Sequence, residues 1–305
     1  MMFSNAISIT LKIMQQPFVI NKGRSLWTDA VSRLRQDRIA MISFGVIIAY
    51  LLLAALCALN IAFPSYAVVD NAIAYQAPSA DHWFGTDLFG RDVLSRAAHG
   101  TVTSLIIGFF GAALSIVVGT LLGSLAGYFG GKIDDLVVWF YTTIDTIPYI
   151  LLVVAFSFVA GHGLNTLCLA IGLTSWVSHC RVIRGEFMKQ RGREYVQGAQ
   201  ALGAGHLRRV FVHILPNTFH LALINFSLLF VSAVKSEVVL SYLGLGVEAG
   251  TPSWGMMISD AKLELARGVW WGLAAATILM FFMVLAFTLF NDSLRDALDP
   301  KLRGK

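Results

Sequence analysis

Long stretches almost free of charge set the terms for this chain: they occupy residues 39–63, 101–129, 136–160, 164–180, 218–240 and 269–290. A run of this kind spans a hydrocarbon layer of about 30 Å at about 1.5 Å per residue. Lipid offers backbone groups no hydrogen-bond partner, so each run must be helical. The expected fold is an all-α integral membrane protein with six transmembrane helices. The first run has no A-x-A cleavage site and exceeds a usual signal-peptide core, so it counts as a span. Composition agrees, with 13% charged residues and a mean hydropathy of +0.69, against about 25% charged in soluble domains.

The net charge of +5 is a matter of topology. With the N-terminus inside, the cytoplasmic segments carry 18 lysines and arginines, and the outer segments only Arg91, Arg96, Lys262 and Arg267. This bias places both termini in the cytoplasm and removes the case for nucleic-acid binding. The expected partition is a cytoplasmic tail at 1–38, a membrane domain at 39–290 with a cytoplasmic loop at 181–217, and a cytoplasmic tail at 291–305. Leu26, Trp27, Ala30, Val31 and Leu34 recur at helical spacing in the first tail. They suit either an amphipathic helix on the lipid surface or a polar lead into the first span.

Chemistry-bearing motifs are scarce. The GxxxxGK[ST] loop is missing: Gly131-Lys132 is followed by Ile133, and Gly304-Lys305 stands at the last two positions. Neither an H-E-x-x-H pair nor a G-x-S-x-G elbow occurs. Cys57, Cys168 and Cys180 are scattered without metal spacing. The expectation is a chain with no catalytic residue, no metal and no cofactor of its own. In the outer segments, Thr86-Asp87 between glycines suits a helix start, and 252–261 reads as a turn leading into a short helix.

The polar segment REYVQGAQALGAGHLRRVFVHILPN, 193–217, stands apart between apolar runs. It reads as a short helix from Glu194, a break at Gly203 and Gly205, and a second amphipathic segment stopped before Pro216. Such a knob suits a groove on a partner; a basic loop held to anionic lipid is the alternative.

The spacing from Gln197 through Gly198, Ala199 and Gly203 to Leu215-Pro216 resembles the EAA loop of permease subunits of bacterial ABC importers. Gln197 replaces the family's usual glutamate, Gly198 an alanine, and His213 a frequent isoleucine. FGTDLFGRDVLSR at 84–96, GYFGGKID at 127–134, LSYLGLG at 240–246, PSWGMMISDA at 252–261, RDALDP at 295–300 and GRSLWTDA at 23–30 narrow the likeness to the oligopeptide and dipeptide permease family, C-type subunits above all.

The resemblance implies a type I ABC importer permease in the bacterial inner membrane. Its partners would be a homologous second permease, two ABC ATPase subunits that bind ATP and Mg, an extracytoplasmic peptide-binding protein and membrane lipid. Glu194, Gln197, Gly198, Ala199, Gly203, His213, Leu215 and Pro216 would form the ATPase-coupling loop. Nickel and glutathione importers share much of the pattern. Readings of other classes are a proton-coupled carrier and a six-span sensor or assembly protein.

Charged groups within spans usually face a cavity or partner. Asp145, three residues before Pro148, either lines the pathway or caps the backbone freed at a proline kink. Glu237 is expected at the subunit interface or translocation cavity. Trp83, Asp87, Arg91 and Trp254 are candidates for contact with the binding protein, or for packing of interfacial helices over the spans.

Overall fold

The computed structural model describes residues 26–248 and 250–298. Most of the expected N-terminal tail, the end of the C-terminal one and the outer residues of the GRSLWTDA and RDALDP motifs lie outside the described residues. The chain runs through α1 (Leu26–Gln36), α2 (Arg38–Ala58), α3 (Val93–Phe129), α4 (Gly131–Asp145), α5 (Tyr149–Ala160), α6 (Leu164–Thr174), α7 (Trp176–Arg191) and α8 (Glu194–Ala201). It continues through α9 (His206–Tyr242), α10 (Trp254–Leu265) and α11 (Trp271–Leu298). Among the described residues five helices are long and apolar enough to cross a membrane: α2, α3, α6 with α7, α9 and α11. The pair α4 and α5 makes a sixth if it counts as one bent span.

α3 is the central element. It contributes to one core with α2, α9, α11 and the outer Trp254 and Trp271, and to a second with α4 and α7 through Ala126, Val137, Tyr141 and Trp176. Its contact with α7 depends on small residues at every fourth position. A Cβ on Gly119 would stand 2.9 Å from the Trp176 carbonyl oxygen, and one on Gly123 2.6 Å from that of Cys180. One on Gly127 would strike the Arg184 carbonyl oxygen. Membrane helices gain van der Waals contact by such close approach, since lipid gives them no hydrophobic drive to associate.

Three expected elements change shape. The run at 136–160 is not one helix, because α4 and α5 meet at 87°. Pro148 lacks a backbone donor and pushes Ile147 out of helical geometry, and the Thr146 hydroxyl donates to the Thr143 carbonyl at 2.6 Å. The run at 164–180 does not stop at Arg181, since the helix continues to Arg191. Its arginines are paired within the chain: Arg184 grips Asp134 with two bonds, and Arg191 donates to the Tyr128 carbonyl at 3.2 Å. Nor does the segment from His206 stop before Pro216. It joins the fifth span directly through a π-helical stretch at Arg209–Ile214, whose wider turn admits a residue without a donor.

The segments before α3 and before α11 fold back on the spans. Thr86 and Asp87 do not start a helix; α3 begins one turn later, with Asp92 accepting from the Ser95 amide at 2.8 Å. Thr86 instead closes the preceding loop, its hydroxyl donating to the Ile73 carbonyl and accepting from the Gln76 amide. The helix expected after Pro252 forms as α10, with Ser253 accepting from the Met256 amide at 3.0 Å. At the other end, α1 packs against α11, and Ser293 donates to Asp37 at 2.7 Å.

Candidate functional site

The segment from Glu194 to Pro216 forms two helices joined by a tight turn. α8 ends in a Schellman arrangement: the Ala204 amide donates to the Ala199 carbonyl at 3.0 Å and the Gly203 amide to that of Gln200 at 2.9 Å. Gly203 holds φ +85°, a conformation that costs a residue with a Cβ about 1–2 kcal/mol. Gln200 also accepts from Arg209 at 2.6 Å, which ties α8 across the turn to the start of α9. Beneath the loop, Val196 and Ile214 join Tyr128, Ile183 and Phe187 in a small core. His206 bonds the Tyr128 hydroxyl at 3.0 Å. The loop is therefore set rigidly on the ends of α3 and α7.

Its outer face is apolar. Leu202 is 90% and Leu207 74% exposed, and Phe211 and Val212 are exposed beside them. Glu194, Gln197, Gly198 and Gly203 are exposed, Ala199, His213 and Leu215 half-buried, and Pro216 exposed. Gln197 donates through Nε2 to the Gly192 carbonyl at 3.2 Å, an internal bond. Leu202, Leu207 and Phe211 were not singled out by motif reading. Their signal was hydrophobic residues in a polar segment flanking a glycine turn.

The other candidates divide. Trp83 is 72% exposed and free to meet a partner. Trp254 is wholly buried, and its indole donates to the Ala97 carbonyl at 2.8 Å; it packs α10 onto α3 and is no external contact. Asp87 is likewise buried, bound by Arg91 Nε at 2.8 Å and Arg96 Nη1 at 2.5 Å. Arg91 spends its guanidinium on that carboxylate and on the face of Phe89. Glu237 faces neither a cavity nor a subunit interface: it is sealed between α9 and α10, accepting from the Ser241 hydroxyl at 2.8 Å. Gly255 lies against it, and a Cβ there would stand 2.6 Å from Glu237 Oε1. Asp145 does not cap the kink, a task that falls to Thr146; it takes Arg181 Nη2 at 2.6 Å.

Around Asp87, a small cavity is lined by Arg91, Arg96, Asp260, Glu264 and Arg267. Burial, then the neighbouring Asp260 and Asp87, pushes the Glu264 carboxyl up to about 7, and burial raises that of Asp260. Among the described residues no group of His, Cys, Asp and Glu is placed to hold a metal ion.

Residues 119–304 match the family described as the binding-protein-dependent transport system inner membrane component, and residues 25–78 match the N-terminal TM domain of oligopeptide transport permease C. The chain belongs to the former family. It is 36% identical over 285 residues to the oligopeptide transport system permease protein OppC of Bacillus subtilis, covering 93% of each chain. It is 35% identical over 277 residues to the dipeptide transport system permease protein DppC of the same organism, covering 90% of this chain and 86% of the relative. The glutathione transport system permease protein GsiD of Pectobacterium atrosepticum is 34% identical over 229 residues, covering 75% of this chain and 76% of the relative. This family is one of integral membrane permeases, and the apolar helices of the fold suit it.

Proposed function

We propose that this chain is one permease subunit of an ATP-driven importer of oligopeptides or dipeptides in a bacterial inner membrane. The observation that carries the reading is likeness along 93% of the chain to an oligopeptide permease, including the N-terminal domain match. Six crossings, with α4 and α5 together as the third and both termini cytoplasmic, agree with the charge bias. The chain supplies half of a pathway. A homologous permease supplies the other half, and an extracytoplasmic binding protein delivers peptide.

Two ATPase subunits, which bind ATP and Mg, dock on the loop from Glu194 to Pro216. Leu202, Leu207 and Phe211 support this docking, because so apolar a face on a rigid turn is costly to leave in water. Docking then depends on shape and apolar contact, since Gln197 lacks the charge of the family's usual glutamate. Glutathione is the second reading, favoured by the GsiD likeness, and as a tripeptide it needs the same kind of pathway.

Co-expression with the neighbouring permease, ATPase and binding-protein genes tests the assembly. The expected result is a complex that takes up labelled peptide in proteoliposomes only with ATP and binding protein. Purification of this chain alone, or uptake that follows a proton gradient without ATP, would sink the reading.

A further inference from the structure

Two ion pairs join α4 to α7, and they differ in one respect. Arg184 and Asp134 are largely closed off, at 26% and 15% side-chain exposure, whereas Arg181 and Asp145 are 45% and 50% exposed. The open pair lies at the far end of α4. α3 ends at Gly130, and the 15 residues of α4 carry Asp145 about 20 Å along the helix from that end at about 1.5 Å per residue. Arg181 reaches up to it from α7, with its guanidinium 5.0 Å from the centre of the Tyr141 ring.

α4 and α5 together pass as one span, and charges within a span are strongly disfavoured against acyl chains and face a cavity or protein. The pair also stands at the 87° break between α4 and α5, where the third span turns away and leaves its carboxylate uncovered. Polar contacts continue past the break. The Tyr149 hydroxyl meets the Ser175 hydroxyl at 3.1 Å and that of Ser236 at 3.0 Å. Asp134 with Arg184, Asp145 with Arg181, and Tyr149 with Ser175 and Ser236 thus form successive polar rungs beside α6 and α7.

We propose that the Asp145–Arg181 pair lines the water-filled path of the cargo and recognises the charged ends of a zwitterionic peptide. This rests on the reading of the chain as a peptide permease. A peptide carries an ammonium and a carboxylate, and the pair offers one group of each opposite sign. As the peptide passes, its carboxylate replaces Asp145 on Arg181 and its ammonium replaces Arg181 on Asp145. Every charge keeps a partner throughout, so no step strands an unpaired ion in a low-dielectric passage.

The test uses the assembled complex in proteoliposomes, with Cys57, Cys168 and Cys180 replaced by alanine. Thr142→Cys, exposed one turn before Asp145 on α4, is treated with a water-soluble, charged thiosulfonate, and Trp83→Cys, at an exposed position, serves as the reactive control. Thr142→Cys is expected to react, and turnover of a dipeptide with ATP and binding protein to slow that reaction about tenfold. Asp145→Asn and Arg181→Gln are each expected to reduce dipeptide uptake about tenfold, the scale of one charge-assisted hydrogen bond.

A thiol that does not react while the control does would overturn the proposal, placing the pair against lipid or inside a subunit interface. Reaction without protection by peptide, whatever the uptake values, would overturn the contact with cargo. Uptake by the complex with Asp145 intact reports on the parent reading separately. If that complex imports peptide and position 142 is unreactive, only the inference fails; if it imports none, the peptide reading itself falls.

Discussion

Replacing Gly203 separates backbone geometry from side-chain volume in the loop from Glu194 to Pro216. Its φ is +85°, and a Cβ built there meets nothing within 4 Å. The whole cost of a larger residue is therefore conformational. A residue with a Cβ loses about 1–2 kcal/mol in this region, a factor of about 5–30 in the population holding the turn. Asparagine tolerates the left-handed region better than a β-branched residue does. Gly203→Asn should therefore retain most function, while Gly203→Val should reduce coupled uptake by about 5–30-fold. The Schellman bonds from Gly203 and Ala204 to α8 would be lost with the turn, freeing the angle between α8 and α9. The assay is ATP-driven peptide uptake by the purified complex, with assembly followed by size-exclusion chromatography. The fold of this chain should be unchanged, because Gly203 lies outside its buried clusters. If valine matches glycine, the turn geometry does not matter to coupling; if asparagine is as poor as valine, volume and not φ governs the site.

Gly198→Ala meets no neighbour within 4 Å and should stabilise α8 by about 0.5–1 kcal/mol with uptake retained, read by amide hydrogen exchange in the loop. Gly255→Ala forces a Cβ to within 2.6 Å of Glu237 Oε1 and should destabilise the outer end by about 1–3 kcal/mol; an unchanged thermal midpoint of the detergent-solubilised complex would contradict the packing. Glu264, raised to about 7, binds more protons folded than unfolded. Its contribution is complete below about 4.5, the ordinary glutamate range, and is lost as pH rises through 7. The stability of the outer segments should therefore fall over that window, and Glu264→Gln should flatten the profile measured by hydrogen exchange.

Much of the architecture was legible because its causes are local. Hydropathy marked each membrane run, glycine at 203 marked the turn, and the turn opening 252–261 marked the short helix that forms as α10. Pro148 announced a break, but not that it would turn the third span by 87°, nor that Thr146 would take the capping role while Asp145 took Arg181. The Gly119, Gly123 and Gly127 series was present in the sequence as a four-residue small repeat. Its meaning needed α7 opposite it.

The charged and aromatic candidates show the same division. Asp87, Glu237 and Trp254 look like external or pathway groups when read as residue types, since charge and indole suit partners. Their partners are in fact Arg91 and Arg96, Ser241, and the Ala97 carbonyl. The contact of Trp254 with Ala97 joins segments 157 positions apart, whereas Asp87 and Glu237 find their partners within nine residues, on the fold of their own segment. Pro216 was misread for a related reason: a π-helical stretch upstream relieves the missing donor, and nothing in the local pattern signals that stretch.

By itself, the sequence determined that this is a helical membrane protein with a polar, glycine-turned loop, because solvent transfer and backbone preference act residue by residue. Only the tertiary structure decided which charges are spent inside the chain and which stay open. Pairing in a low-dielectric interior is a property of two groups brought within about 3 Å, and that distance is set by how the helices cross.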